Sequence, residues 1–174
     1  MGLTFVNPGV EVEGSGRRAP GRVNLGPVFN ILLALHLLTA IFAVGPLVHA
    51  ATTAARGLRT ADAAATAASA RVATLYSYIS VLVVFFGFGL MSAKEDGKTV
   101  ATFSDPYIWI SALLWLVAIG LSLGVIAPTL ESATARIKAG ETVENLTGKV
   151  AASGGIVGLI FAAIVFLMVY KPGS

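Results

Sequence analysis

Four stretches of the chain contain no Asp, Glu, Lys or Arg: residues 28–49, 72–91, 107–128 and 150–170. At about 1.5 Å of rise per residue, each is long enough as a helix to cross roughly 30 Å of hydrocarbon. The pattern predicts an all-α membrane protein, a four-transmembrane-helix bundle spanning residues 27–174. Gly26-Pro27 opens the first span, where proline suits a first helical turn. Pro46 falls in the last turns of that span and Pro128 at the end of the third, and each predicts a kink.

The intervals between spans are of two kinds. Ala50–Arg71 and Thr129–Lys149 are long and rich in Ala, Thr and Ser, with few Gly or Pro. They read as helices that continue past the membrane and turn back. The interval at 92–106 is turn chemistry, with Lys94-Glu95-Asp96-Gly97-Lys98 and Ser104-Asp105-Pro106, and Tyr107 and Trp109 mark the next membrane interface. Residues 1–26 form a polar arm with Gly14-Ser15-Gly16, Arg17-Arg18 and Pro20-Gly21. The first apolar run after it is too long for a signal peptide, so the arm is expected to stay on the chain.

The halves of the chain echo one another. Pro46 and Pro128 lie 82 positions apart, and Arg71 and Lys149, each just before a span, lie 78 apart. A duplicated helical hairpin gives this pattern, with both copies in one orientation; ordinary resemblance between membrane hairpins gives it too. The two sides of the membrane tie in basic residues. Arg17, Arg18, Arg22, Lys94, Lys98 and Lys171 fall on one side, and Arg56, Arg59, Arg71, Arg136, Lys138 and Lys149 on the other. Orientation therefore stays open, with a lean toward cytoplasmic long connections.

Composition agrees with the pattern: only 12% of residues are charged and the mean hydropathy is +0.83. Soluble domains carry about 25% charged residues. The absence of cysteine excludes disulfides, thiolate metal sites and cysteine nucleophiles. A net charge of +3 suits anionic headgroups, and no Lys/Arg run exceeds Arg17-Arg18, so nucleic acid is not an expected partner.

Three small-residue stripes are candidate packing faces: Gly154, Gly158 and Ala162 with Gly155; Gly120 and Gly124; and Ala73, Ser77, Ser80 and Gly87. They serve either packing within the chain, the commoner use, or docking of another protein. His36 lies about 12 Å into the first span by helical rise, and His49 lies at its far end. An intramembrane imidazole left unsatisfied costs on the order of several kcal/mol. His36 is either a hydrogen-bonded packing residue, the commoner case, or an axial ligand to haem or copper. His49 is too far along the helix to share that metal, and Met91 and Met168 are poorly placed as second ligands. No intramembrane carboxylate pair, phosphate loop, zinc spacing or nucleophile elbow is present, so catalysis is not expected. Asn145-Leu146-Thr147 matches a glycosylation acceptor, a triplet common by chance.

Leu33-Ala34-Leu35-His36-Leu37-Leu38-Thr39-Ala40, followed by Gly45, resembles the first helix of a bacterial family of four-helix integral membrane proteins of unknown function. Leu167-Met168-Val169-Tyr170-Lys171-Pro172-Gly173 resembles that family's end, and the likeness covers about residues 28–173. The family is similar in layout to copper-resistance D-type proteins and to a haem-using membrane protoporphyrinogen oxidase, which carry a His in an early Leu-His stretch. His36 matches that position. Phe42, Ala43, Val44, Gly45 and Pro46 stand where the family often has Trp and paired glycines. The resemblance, with Ala-, Arg- and Gly-rich usage like that of actinobacteria, implies a multi-pass protein of the bacterial inner membrane. The expected role is a non-catalytic accessory subunit of a larger complex, such as a respiratory cytochrome oxidase supercomplex. A haem b or copper site at His36 is the alternative, and a small oligomeric transporter a weaker one.

Overall fold

The computed structural model describes residues 27–92, 94–95, 98–99, 102 and 104–172. The expected polar arm over 1–26 lies outside the described residues. Four long helices dominate: α1 (Pro27–Arg59), α2 (Ala63–Ser92), α3 (Pro106–Lys138) and α4 (Glu144–Tyr170). All four are long and apolar enough to cross a membrane. A two-residue ribbon, β1 (Lys94–Glu95) paired antiparallel with β2 (Lys98–Thr99), lies between α2 and α3. The fold is the expected all-α four-helix bundle. Side chains such as Phe85 and Leu159, 68% and 73% exposed, would be untenable in water and suit contact with lipid tails. The chain is a multi-pass membrane protein.

α1 and α3 each contain 33 residues, about 50 Å of helix against roughly 30 Å of hydrocarbon. The excess lies on the side of the two long connections, here the connector side, where Arg56, Arg59, Arg136 and Lys138 end the helices. The expected helical continuations past the membrane are present. The side bearing the start of α1, the ribbon and the end of α4 is the terminal side.

Both connector turns are closed in one way. Ala61 N donates to Leu58 O and Asp62 N to Gly57 O, while Gly140 N donates to Ile137 O and Glu141 N to Arg136 O. These are two Schellman closures 79 positions apart, each with a left-handed residue, Ala61 (φ 49°) and Gly140 (φ 77°). Asp62 then caps α2, its Oδ1 accepting from Ala64 N and Ala65 N at 2.9 Å each. After α3, Arg136 Nε donates to Glu141 Oε2 at 3.1 Å.

The prolines do not break their helices. Each is preceded by a single π-helical turn, Ala40–Val44 before Pro46 and Ser122–Ile126 before Pro128. A proline ring crowds the carbonyl four residues back, here Phe42 or Gly124. Both carbonyls lie in the widened turn, which makes room for the ring. α2 carries a different irregularity at Ser80, between the helical runs Ala63–Ile79 and Val81–Ser92, where Val83 N reaches back three residues to Ser80 O.

Packing is uneven along the bundle. On the connector side, Gly45–Arg59 of α1 packs on both α4 and the first half of α2, which in turn packs on Ala127–Lys138 of α3. The main core lies there: Leu47, Ala51, Ala54, Leu58, Ala73, Ile126, Leu130, Ala133, Val150 and Val157 are buried together. Alanine lets the backbones approach, and the core continues into the extramembrane ends as a rigid head. On the terminal side, Pro27–Thr39 of α1 pairs with Val81–Ser92 of α2, and the first half of α3 pairs with α4. Between these two pairs contacts are sparse among the described residues. Trp115 Nε1 donates to Ser80 Oγ at 3.1 Å midway, and Met91 meets Tyr107 and Ile108 at the end.

Candidate functional site

The closest helix crossing is built on the first glycine stripe. A Cβ on Gly154 would overlap the Ala51 carbonyl of α1, and one on Gly158 would meet Thr52 Cγ2 at 3.3 Å. Ser153, Val157 and Phe161 are buried beside them. Gly154 and Gly158 therefore pack within the chain, against the part of α1 that follows Pro46. Ala162 does not join them: it is exposed, and Phe161 holds that level of the seam instead. Gly155 faces open space.

The second stripe does not take the commoner of its two expected uses, packing within the chain. A Cβ added at Gly120 or Gly124 would meet nothing within 4 Å. The inward face of α3 is a different line, Ser111, Ala118 and Ser122, with Trp115 partly buried among them. Small residues show where a backbone could be approached, and nothing in their spacing says which face is. Among the described residues, the Ser111 and Ser122 hydroxyl oxygens are buried without a hydrogen-bond partner.

The third stripe splits between two tasks. Ser77 and Ser80 are fully buried and return their hydroxyls to their own helix, to Ala73 O at 2.6 Å and Ser77 O at 2.7 Å. Ser80 Oγ also accepts from Trp115. Gly87 instead faces α1, where a Cβ would stand 3.2 Å from His36 Cε1. Two residues on, Gly89 faces Leu32 of the same helix.

That glycine seat fixes His36. Its Nδ1 lies 2.9 Å from the Val83 carbonyl on α2. A carbonyl only accepts, so Nδ1 carries the proton and donates, and in the neutral ring Nε2 keeps its lone pair. The bond is the hydrogen-bonded packing role, and it ties α1 to α2 on the terminal side. It is also how a backbone group orients an imidazole that ligates a metal. The residues around it do not complete such a site. Among the described residues no group of three or more His, Asp or Glu could hold a metal ion. Met91 is buried with Tyr107 and Ile108, Met168 is exposed, and His49 is exposed on α1 with its carbonyl accepting from Thr52 and Thr53.

A groove of about 360 Å³ opens on the connector side between α3 and α4, lined by Gly124, Pro128, Thr129, Ser132, Leu146 and Lys149. It exists because Ala127–Lys138 of α3 touches α4 little, having turned toward α2 after the π turn. It does not include His36.

No protein-family profile, no curated protein and no solved structure matches the chain.

Proposed function

We propose that the protein is a non-catalytic accessory subunit of a larger bacterial membrane assembly in the inner membrane, with a respiratory cytochrome oxidase supercomplex as the first assembly to test. The observation that carries this reading is the unequal packing of the bundle. The connector side holds a dense core of its own, while the terminal side divides into two helix pairs with few contacts between them among the described residues. Helices in lipid gain by close packing rather than by leaving water, so a half-open bundle gains most from another membrane helix. Phe85, Phe88 and Trp109 on these pairs are exposed and give such a helix broad contact area.

The test is extraction of the tagged full chain in a mild detergent, identification of the co-purifying proteins, and an absorption spectrum of the eluate. The reading expects recovery with a larger complex, at a fixed ratio that a strong detergent abolishes. Quantitative recovery as a lone monomer or homodimer would sink it. A second reading, haem or copper handling at His36, draws on the orientation of the imidazole by the Val83 carbonyl. It expects a Soret band or bound copper in the protein purified away from partners, lost in His36→Ala. A colourless, metal-free sample rejects it.

A further inference from the structure

The groove between α3 and α4 has the polarity profile of a phospholipid, and we propose that it is a binding site for one anionic phospholipid on the connector side. Its inner end is Gly124 and Pro128, with no side chain beyond a proline ring to fill it. Its outer end carries the Lys149 ammonium with the Thr129 and Ser132 hydroxyls, beside the side chain of Leu146. The change from apolar to polar falls close to the connector-side ends of the charge-free stretches of both helices. The charge-free stretch of α3 runs two residues past Pro128, to Leu130 before Glu131, and Lys149 immediately precedes that of α4.

Three observations select an anionic headgroup. Lys149 is exposed and, among the described residues, makes no ion pair, whereas Arg136 near the end of α3 is held by Glu141. The hydroxyls of Thr52, Thr53, Thr66 and Thr134 are satisfied by nearby backbone carbonyls. Thr129 and Ser132 show no such bond among the described residues, which leaves both hydroxyls free to donate to a phosphate. The connector side as a whole is positive, with Arg56, Arg59, Arg71, Arg136, Lys138 and Lys149 against Asp62, Glu131, Glu141 and Glu144. An acyl chain then lies along bare Gly120 and Gly124, about one helical turn apart, where the backbone of α3 is uncovered. The outward glycines of the second stripe thus gain an occupant. This inference is independent of the accessory-subunit reading.

The test compares binding of phosphatidylglycerol and phosphatidylcholine to the full-length protein by native mass spectrometry from detergent. Wild type is expected to retain one phosphatidylglycerol more tightly than the choline lipid. Lys149→Ala should weaken it about fivefold, the scale of one interfacial cation. Gly124→Leu, which fills the acyl end and leaves every charge in place, should weaken both lipids. Lys138→Ala, outside the groove, is the control and should change little. Unfolding midpoints in lipid-free detergent identify any variant that has lost its fold, and Ser132→Leu then replaces it as the probe of the same pocket. Equal retention of the two lipids by wild type, or equal losses from Lys149→Ala and Lys138→Ala, would overturn the proposal. Displacement of the bound lipid by inorganic phosphate alone would also overturn it, as it would mark a simple anion site.

Discussion

Ala61 and Gly140 occupy the same place in two copies of one turn, and only one of them is the residue that place favours. Both have positive φ. A side chain there costs about 1 kcal/mol, which glycine escapes at some cost in chain entropy. Ala61→Gly should therefore stabilise the chain by a few tenths to about 1 kcal/mol, and Gly140→Ala should destabilise it by about as much. Thermal unfolding in detergent reads both, and a lower midpoint for Ala61→Gly would contradict the argument. Gly154 follows a harder rule. Its missing Cβ would overlap a backbone carbonyl, which cannot rotate aside. Gly154→Ala should cost about 2 kcal/mol or more by forcing α1 and α4 apart. Its neighbour Gly155 opens on empty space, so Gly155→Ala should be neutral or mildly stabilising. Equal effects at the two positions would mean that the α1–α4 crossing is misplaced.

Among the elements, the α1–α2 pair on the terminal side is joined by the bond from His36 to the Val83 carbonyl. Interhelical hydrogen bonds in membranes are worth about 0.6 kcal/mol on average and up to about 1.7, so His36→Ala should lower stability within that range. The more decisive measurement is the coupling with Gly87. Gly87→Ala crowds the ring at 3.2 Å, so it should destabilise the wild type yet cost little in a His36→Ala background. Strict additivity would show that the ring does not sit on Gly87. Much of this level was legible in the sequence. The four spans followed from the absence of charge over membrane-length stretches, and the helical connectors from their Ala-rich composition. The paired prolines marked the irregular turns, although π geometry itself depends on how the backbone relaxes around the ring. The facing of Gly120, Gly124 and Ala162 was not legible, because lipid and protein neighbours accept the same small apolar residues. His36 could be read as bonded within the bundle, but its partner is a main-chain carbonyl, which has no signature in the side-chain sequence.

At the scale of the molecule, one half is densely packed and the other, among the described residues, sparsely so, and the two are divided by the proline-associated π turns. The repeated Schellman closures and repeated π turns, 79 and 82 positions apart, agree with a hairpin used twice. The connector halves lock the two hairpins together through α1–α4 and α2–α3, and among the described residues beyond Ser80 and Trp115 the hairpins are joined by little besides Met91, Tyr107 and Ile108. Such an arrangement should be measurable as a gradient of order. Because the chain has no native cysteine, single pairs can be spin-labelled without background. Labels at Arg56 and Lys138, on the two connector helices, should give a narrow distance distribution. Labels at Val28 and Val169, exposed near the terminal ends of α1 and α4, should give a broad one for the isolated protein. On the proposed accessory-subunit reading the broad distribution should narrow when the protein is extracted in a mild detergent together with a partner complex, because a helix seated between the pairs would remove their freedom to move apart. Equal widths at the two ends of the isolated bundle would show that the terminal half is already closed, and would remove the physical reason for expecting a partner there.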